Sequence, residues 1–152
     1  MNTVPEEGIR KTLAQYGQFY DDRRHDDLAA LFTDDAVYVT PTDTTVGREA
    51  LRARFRDVLP TVSGRHLTVQ SVIDVDGDSA TATSDLILVG LEDGELDLRI
   101  TAVARYHDRL VSSAGRWLFA ERRLEVIRDN RSERSRRATA EAATRQRSVN
   151  VD

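Results

Sequence analysis

The side chains of this sequence that could do chemistry are acids, bases and hydroxyl donors. The sequence contains no cysteine, which excludes disulfides and thiolate catalysis. Its three histidines, His25, His66 and His107, lack the close spacing of a zinc site, and no HExxH motif occurs. We therefore predict no metal and no cofactor. Any chemistry is expected to be proton transfer, helped by tyrosine hydroxyls that can donate hydrogen bonds.

The N-terminal region predicts two helices and a strand. Four side chains at i, i+4, i+7 and i+11 form one stripe of an amphipathic helix: Ile9, Leu13, Tyr16 and Tyr20. A short second helix, capped by Asp26 or Asp27, would carry Leu28, Leu31 and Phe32. Residues 33–35 interrupt that pattern, and residues 37–39 have the β-branched and aromatic composition of a strand.

The remaining elements complete a fold of helices followed by strands. Residues 42–45 predict a polar loop, and Gly47 leads into a third helix that ends at Pro60. Alternating patterns then predict a meander of long strands, with a hairpin at Asp76-Gly77. On the first of these strands one face carries His66, Thr68, Gln70 and Val72, and on the second Ala80, Ala82, Ser84, Leu86 and Leu88. This order predicts an α+β fold, with helices packed on a strongly curved antiparallel sheet that encloses a pocket.

Composition limits the classes of partner. The chain has 152 residues and a net charge of −4, but residues 128–152 carry seven arginines and four acidic residues, so residues 1–127 hold a net charge of −7. We predict one domain, 1–128, followed by an Arg-rich tail, 129–152, that has no apolar stripe. The acidic body argues against nucleic-acid binding, and no apolar run is long enough to cross a membrane. No secretory signal is visible, so we expect a cytoplasmic protein.

Short motifs occur in a characteristic order along residues 9–127. They are Asp26-Asp27-Leu28 with Leu31-Phe32-Thr33-Asp34-Asp35-Ala36-Val37, Gly47-Arg48-Glu49-Ala50-Leu51, His66-Leu67-Thr68, Asp76-Gly77-Asp78-Ser79-Ala80, and Arg105-Tyr106-His107-Asp108-Arg109-Leu110-Val111 followed by Gly115-Arg116-Trp117. In this order and spacing the chain resembles the SnoaL-like branch of the NTF2-like superfamily, which includes polyketide cyclases, ketosteroid isomerases and scytalone dehydratases. The resemblance implies the cone-shaped NTF2-like (cystatin-like) fold and a pocket for a small hydrophobic or aromatic substrate.

Comparison with ketosteroid isomerases implies which residues line the pocket, but it does not imply that this chain catalyses their reaction. Their catalytic carboxylate precedes a proline at the end of the first strand, where this chain has Thr40, and their second acid falls on Ala102. Ketosteroid isomerisation needs both acids, so it is disfavoured, although a tyrosine of the first helix matches at Tyr16. The same register implies that small or apolar residues line the pocket: Leu98, Ile100, Ala102 and Ala104.

Comparison with scytalone dehydratases implies an acid/base pair. Tyr20-Asp21 precedes Leu28 as that family's Tyr-Asp pair precedes its leucine, and His66 stands where the family has a histidine. The carboxylate would orient the imidazole, whose other nitrogen could then take or give a proton. The family's second histidine falls near Ser84 and its asparagine on Ala102, so half of the polar set is replaced.

Each of these roles has a structural alternative. His66 could lie on the surface with the other polar residues of its strand face, and Asp21 could cap a helix or lie in a solvated loop. Tyr16 has the spacing of a packed core residue. If the pocket is functional, Tyr16, Tyr20 and Tyr38 are expected to hydrogen-bond a carbonyl or phenolic oxygen.

The sequence thus predicts a cofactor-independent dehydratase or cyclase acting on an aromatic or polyketide-like intermediate, as in antibiotic biosynthesis. The catalytic residues would be Asp21, His66 and Tyr20, and the substrate-binding residues Tyr16, Tyr38, Thr40, Ser84, Leu98, Ile100 and Ala102. One alternative is an epoxide-opening hydrolase or ether cyclase, for which Asp43 and Asp85 are the additional carboxylates. Another is a non-catalytic ligand-binding or scaffold domain.

A homodimer is expected through the outer face of the sheet. That face is predicted to mix charged and uncharged side chains: Asp97, Arg99, Thr101, Val103 and Arg105. Such a surface can be self-complementary across a two-fold axis, the commonest symmetry of oligomers.

Overall fold

Helices flank a six-stranded sheet in the part of the chain that the structure describes. The computed structural model describes residues 4–59, 64–90 and 99–130. Its elements are, in chain order, α1 (Pro5–Asp21), α2 (His25–Ala29), β1 (Phe32–Val39), β2 (Thr44–Val46), α3 (Arg48–Val58), β3 (Arg65–Asp76), β4 (Ser79–Gly90), β5 (Arg99–Ser113) and β6 (Arg116–Asp129). The strands lie side by side in the order β2-β1-β6-β5-β4-β3. The predicted α+β class is confirmed.

One strand pair departs from the predicted antiparallel sheet. β1 lies parallel to β6, with Tyr38 opposite Arg122, whereas the other neighbouring pairs are antiparallel. Hairpin connections force consecutive strands to be antiparallel. β1 and β6 are separated by most of the chain, so no hairpin constrains their relative direction, and the sheet is mixed.

The boundaries near the N-terminus also differ from the prediction. α2 ends at Ala29, and β1 begins at Phe32, so residues 33–35 belong to the strand. Neither predicted aspartate caps α2; its N-cap position is Arg24, whose Nε instead donates to the carboxylate of Asp27 (2.9 Å). Part of the predicted loop at 42–45 forms the short strand β2, which pairs with the end of β1.

The core lies between α1 and the inner face of the sheet. The α1 residues Ile9, Leu13 and Tyr16 are at most 3% exposed, as their spacing predicts. The Tyr16 ring makes edge-on contacts with Phe32 of β1 and Phe119 of β6, with centroids 6.1 and 5.8 Å apart. Aromatic pairs in this arrangement add to the stabilisation gained from burial alone.

Extra residues in β3 and β5 change which side chains face the core. In β3 the register shifts between Val69 and Val72, around Gln70 with its positive φ of 51°, so Ile73 joins the inner face. In β5, Leu88 pairs with Ala102 but Val89 pairs with Ile100, and Thr101 is the extra residue. Such bulges bend a strand and re-aim its side chains. A strict two-residue alternation therefore fails beyond each of them.

The N-terminal half of α1 is fixed to β6. The hydroxyl of Thr12 donates to the carbonyl oxygen of Trp117 (2.8 Å), and the Trp117 side chain packs against the core. Gly8 faces the indole so closely that a Cβ there would lie 2.8 Å from Cδ1 of Trp117. Trp117 thus anchors the sheet against α1.

Several predictions fall at or beyond the limits of the described residues. β6 runs to Asp129, one residue past the predicted end of the domain. Pro60, Asp97, Leu98 and the segment 131–152 lie outside the described residues. None of the helices described is both long and apolar enough to span a bilayer. The described residues also contain no cluster of three or more possible metal ligands.

Two glycines of α1 provide a matched test of this packing. At Gly17 a Cβ would make only ordinary contacts, 3.5 Å from the carbonyl oxygen and 3.6 Å from Cβ of His66. Gly17→Ala should therefore stabilise the protein by about 0.5–1 kcal/mol, the usual gain of alanine over glycine in a helix. Gly8→Ala should lose that gain to the clash with Trp117 and lower the melting temperature. Equal stabilisation of both variants in thermal unfolding would contradict the packing described.

Candidate functional site

A cavity of about 110 Å³ opens between the C-terminal end of α1 and the sheet. α1, β1, β3 and β5 each contribute one polar side chain to its wall, and the other lining residues are apolar. The lining residues are Tyr20, Tyr38, His66, Leu86, Leu88, Ala102, Ala104, Tyr106, Leu124 and Val126. Apolar walls with a few converging polar groups are typical of small-molecule sites.

Asp21 and His66 form a hydrogen-bonded pair at this cavity. Nδ1 of His66 lies 2.6 Å from Oδ1 of Asp21, and the backbone N–H of His66 donates to Oδ2 (2.9 Å). Their side chains are only 7% and 6% exposed, so His66 is not a surface histidine and Asp21 does not lie in a solvated loop. Since the carboxylate occupies Nδ1, Nε2 is the ring nitrogen left for proton exchange with a bound molecule.

The end of α1 positions this pair. Asp21 is the last residue of the helix, and His66 is the second residue of β3. Gly17, one turn earlier, faces the backbone of β3 at His66, with room between them for a Cβ. A helix C-terminus carries partial negative charge, which disfavours a carboxylate and favours a cation. The same end of α1 would therefore stabilise His66 if it became positively charged.

Arginine on β3 adds a second contact to the helix end. Nη1 of Arg65 donates to the carbonyl oxygen of Asp21 (3.3 Å) and lies 3.7 Å from the carboxylate of Asp22. Cations near the last carbonyls of a helix offset its macrodipole. Adjacent residues of β3 thus hold α1 from the outside, through Arg65, and from the cavity side, through His66.

Tyrosines surround the remaining polar part of the cavity. The Tyr20 ring lies against His66, with centroids 4.5 Å apart, and Tyr38 and Tyr106 line the wall. The Tyr16 hydroxyl donates to that of Tyr38 (3.3 Å). Burial raises the pKa of Tyr16 and of Tyr106 well above the ordinary value, with the neighbouring Tyr38 adding to both. Both phenols therefore stay neutral and keep the proton they could donate.

Some predicted substrate-binding residues lie elsewhere. Ile100 is 54% exposed, because the extra residue Thr101 changes its direction. The hydroxyl of Thr40 donates to the carbonyl oxygen of Asp43 (3.2 Å) and so stabilises the turn before β2. Ser84 is buried, but its hydroxyl lies 2.9 Å from that of Ser71 and is not part of the cavity wall. Tyr16 lies behind the wall, where its hydroxyl donates to Tyr38 and its ring contacts those of Tyr20 and Tyr106.

The two carboxylates expected for an epoxide-opening site are not at the cavity. Asp43 pairs with Arg54, and Asp85 accepts a hydrogen bond from Nε of Arg105 (2.6 Å) on the outer face of the sheet. The hydrogen bond from Arg105 lowers the pKa of Asp85. Asp21 reaches the cavity wall through its hydrogen bond to His66, whereas Asp43 and Asp85 are not among the lining residues. The epoxide-opening hypothesis therefore lacks its second acid.

A buried ion pair lies behind the cavity and was not predicted from the sequence. Asp108 of β5 and Arg122 of β6 stand opposite each other in the register, and Nε and Nη2 of the arginine donate to the two carboxylate oxygens at 2.8 and 2.7 Å. The arginine packs against the ring of Tyr106, which lines the cavity. The position of Asp108 could have been inferred, because Asp108 follows Ala102 and Ala104 in the same two-residue alternation along β5 and so shares their inward face.

Comparisons with known proteins agree with the fold. A variant of Rv3472 from Mycobacterium tuberculosis, a protein of unknown function, is 30% identical, with a TM-score of 0.74 over 80% of this chain and 70% of that one. An NTF2-like protein with a cystatin-like fold from Novosphingobium aromaticivorans is 21% identical, with a TM-score of 0.71 over 86% of each chain. A proposed scytalone dehydratase from the same organism is 24% identical, with a TM-score of 0.72 over 82% of this chain and 85% of that one. No curated protein matches significantly.

These similarities assign the chain to a fold class and to a family. The helices packed on a curved sheet with an internal cavity are those of the NTF2-like proteins with a cystatin-like fold. Residues 5–123 match the family described as the SnoaL-like domain, and the chain belongs to that family. The resemblance drawn from the sequence motifs is confirmed.

Proposed function

We propose that this protein is a cofactor-independent lyase or cyclase that uses His66 as a general acid/base on an aromatic or polyketide-like substrate. The observation that carries the proposal is the Asp21–His66 hydrogen bond (2.6 Å) in the wall of a largely apolar cavity. Membership of the SnoaL-like family is consistent with it. A histidine with a fixed tautomer and neighbouring phenol donors can both remove and deliver a proton.

Loss of water from a β-hydroxyketone illustrates the chemistry. Nε2 of His66 takes the proton from the carbon next to the carbonyl, and the electron pair forms an enolate whose oxygen accepts hydrogen bonds from tyrosine hydroxyls. Asp21 stabilises the imidazolium that results. The enolate then expels the β-hydroxyl group, which leaves as water with the proton from Nε2, and a conjugated ketone remains. Ring closure of the aldol type uses the same first step, with the enolate attacking a second carbonyl.

Size limits the part of a substrate that can lie in the cavity. An engineered cavity of about 150 Å³ holds benzene, and this cavity measures about 110 Å³. The cavity is open because the side chains of Ala102 and Ala104 are small, and larger side chains at these positions would fill it. A reacting unit no larger than one ring therefore fits inside, with any further rings directed toward the opening.

Replacing His66 tests the proposal. In assays that follow the absorbance of the conjugated ketone formed from one-ring aromatic β-hydroxyketones, His66→Ala should lower turnover by about 10²–10⁴-fold. Asp21→Asn should lower it too, because the amide can hydrogen-bond Nδ1 but cannot stabilise the imidazolium. His107→Ala is the matched control, since His107 is exposed and pairs with Glu125 (2.8 Å) on the outer face.

The outcomes separate the enzyme from a binding domain. If the wild-type protein binds these ketones but His66→Ala leaves any product formation unchanged, the acid/base role is wrong. Ligand binding without catalysis, the hypothesis retained from the sequence, would then describe the protein better. Folding of each variant is checked by circular dichroism, so that a loss of turnover is not attributed to a loss of structure.

We also propose that two copies of the chain associate through the outer face of the sheet. Leu67, Ile87 and Val103 stand opposite one another on β3, β4 and β5 and form an apolar row on that face. The next rows carry opposite charges, including the ion pair of Asp85 with Arg105. An apolar row beside paired charges suits a self-complementary two-fold contact.

Charge introduced into the apolar row should dissociate such a dimer. We expect the wild-type protein to sediment as a dimer at micromolar concentration, and the double variant Leu67→Glu with Ile87→Glu to sediment as a monomer. Val46→Glu places the same charge on the exposed strand β2, at the opposite edge of the sheet, and should leave the dimer intact. A monomeric wild-type protein would refute the proposed interface.

A further inference from the structure

The ion pair of Asp108 and Arg122 is buried and takes no part in the reaction scheme above. Its side chains are 0% and 1% exposed, and two parallel hydrogen bonds join them. Burying two charges costs more free energy than their attraction returns in many proteins, and apolar replacements are often as stable. Stability alone therefore does not account for the presence of the pair in this core.

Aromatic rings enclose the guanidinium group of Arg122. Its Cζ lies 4.0, 3.9 and 4.1 Å from the ring centroids of Tyr16, Tyr106 and Phe119. Nη1 has no hydrogen-bond partner among the described residues. The electron-rich faces of the rings thus take the place of a polar partner for this part of the cation.

The position of the cation relative to the cavity is the important feature. Tyr106 has Arg122 against its ring and also lines the cavity, so one aromatic ring separates the cation from the cavity. The Tyr16 ring, which also contacts Arg122, ends in the hydroxyl that donates to Tyr38, a second lining residue. The cation therefore contacts the ring of one lining tyrosine, Tyr106, and the ring whose hydroxyl donates to a second, Tyr38.

Of the two members of the ion pair, the arginine acts more strongly on Tyr106. Burial raises the pKa of Tyr106, and Tyr38 raises it further; Arg122 acts in the opposite direction and has a larger effect than Asp108. Burial alone would lower the pKa of Arg122, but the attraction and hydrogen bonds of Asp108 outweigh it, so the guanidinium stays protonated. The positive end of the ion pair thus faces the rings.

We propose that Arg122, held by Asp108, is a positioning residue that orients Tyr16 and Tyr106 and makes the cavity prefer an oxygen that carries negative charge. The ligand class is a phenolate or an enolate, bound as its anion rather than as the neutral phenol or ketone. The inference concerns the cavity of the proposed enzyme and names the charge state that it stabilises. It does not depend on His66.

The test removes the charge without leaving a lone buried ion. The double variant Arg122→Met with Asp108→Leu replaces both members of the pair by apolar side chains of similar size, a change that buried ion pairs tolerate. The matched control is Arg105→Met with Asp85→Leu. That pair joins the neighbouring strands β4 and β5 on the outer face, away from the cavity. Arg122→Lys keeps the positive charge but not the two parallel hydrogen bonds.

The probe is para-nitrophenol, whose neutral and ionised forms have different absorption spectra. Its affinity for each protein is measured in both forms by titration across neutral pH. The wild-type protein should bind the ionised form more tightly. In the inner double variant that preference should fall by about three- to tenfold. This is the effect expected of one charge roughly 8 Å from the ligand in a medium with an effective dielectric constant of about 20, after the opposite charge of Asp108 is taken into account. The outer control should keep the preference, and Arg122→Lys should keep most of it.

Three results would overturn the proposal. The wild-type protein could fail to bind the probe, or bind both of its forms equally, and this measurement does not depend on the folding of any variant. The inner double variant could keep the wild-type preference. The inner and outer double variants could lose it equally, which would indicate an effect of removing any such ion pair rather than of the buried cation.

The same probe separates this inference from the proposed function. Turnover in His66→Ala and the preference for the ionised form in the inner double variant are measured separately. If turnover proves independent of His66 while the preference still depends on Arg122, the reaction is wrong and the binding inference holds. If turnover depends on His66 and the preference ignores Arg122, the reverse is true.

Discussion

The apolar stripe of α1 must lie across the inner face of the sheet, and this packing fixes the position of the polar groups in the cavity. Ile9, Leu13 and Tyr16 are buried against the sheet and cannot be exposed without a large loss of hydrophobic stabilisation. The hydroxyl of Thr12 fixes one half of the helix to β6, and the hydrogen bonds between Asp21 and His66 fix its other end to β3. Asp21, the last residue of the helix, is thereby held beside His66, near the start of β3.

Polar groups in this interior are stabilised in pairs. Asp21 receives two hydrogen bonds from His66, and Asp108 receives two from Arg122, so neither carboxylate is left alone in an apolar environment. The two pairs differ in their access to the cavity. His66 lies in its wall, whereas Arg122 lies one aromatic ring behind it. A proton-transfer group at the surface of the cavity and a fixed positive charge behind it suit a reaction in which negative charge develops on oxygen.

The elements could be predicted from the sequence where one period holds along the whole segment. The α1 stripe and the β4 face from Ala80 to Leu88 are two such cases. The prediction failed where one extra residue enters a strand, because a single insertion reverses every later side chain. Thr101 moves Ile100 outward in this way, and Ala120 of β6, which has no partner in the register with β5, lets both Phe119 and Arg122 face the core. Arginine is rarely fully buried unless it is paired, so its residue type gave no reason to place Arg122 inside.

The placement of the site was predicted in part. Tyr20, Asp21 and His66 were singled out by resemblance, and their mutual geometry could not follow from sequence, since it depends on how α1 meets β3 across 45 positions. Thr40 and Ser84 were assigned by register alone, and hydrogen bonds to nearby groups occupy their hydroxyls instead. Residues that face a cavity can be predicted only after the curvature of the sheet is known.

The tautomer of His66, measured by ¹⁵N NMR at a pH where the ring is neutral, tests the central claim most directly. The account predicts the proton on Nδ1, directed at Asp21, and loss of this preference in Asp21→Ala. His107 is an internal reference, because its Nε2 faces Glu125 and should carry the proton there. A neutral His66 with its proton on Nε2, unchanged by Asp21→Ala, would mean that the carboxylate does not orient the ring, and the acid/base pair would not exist.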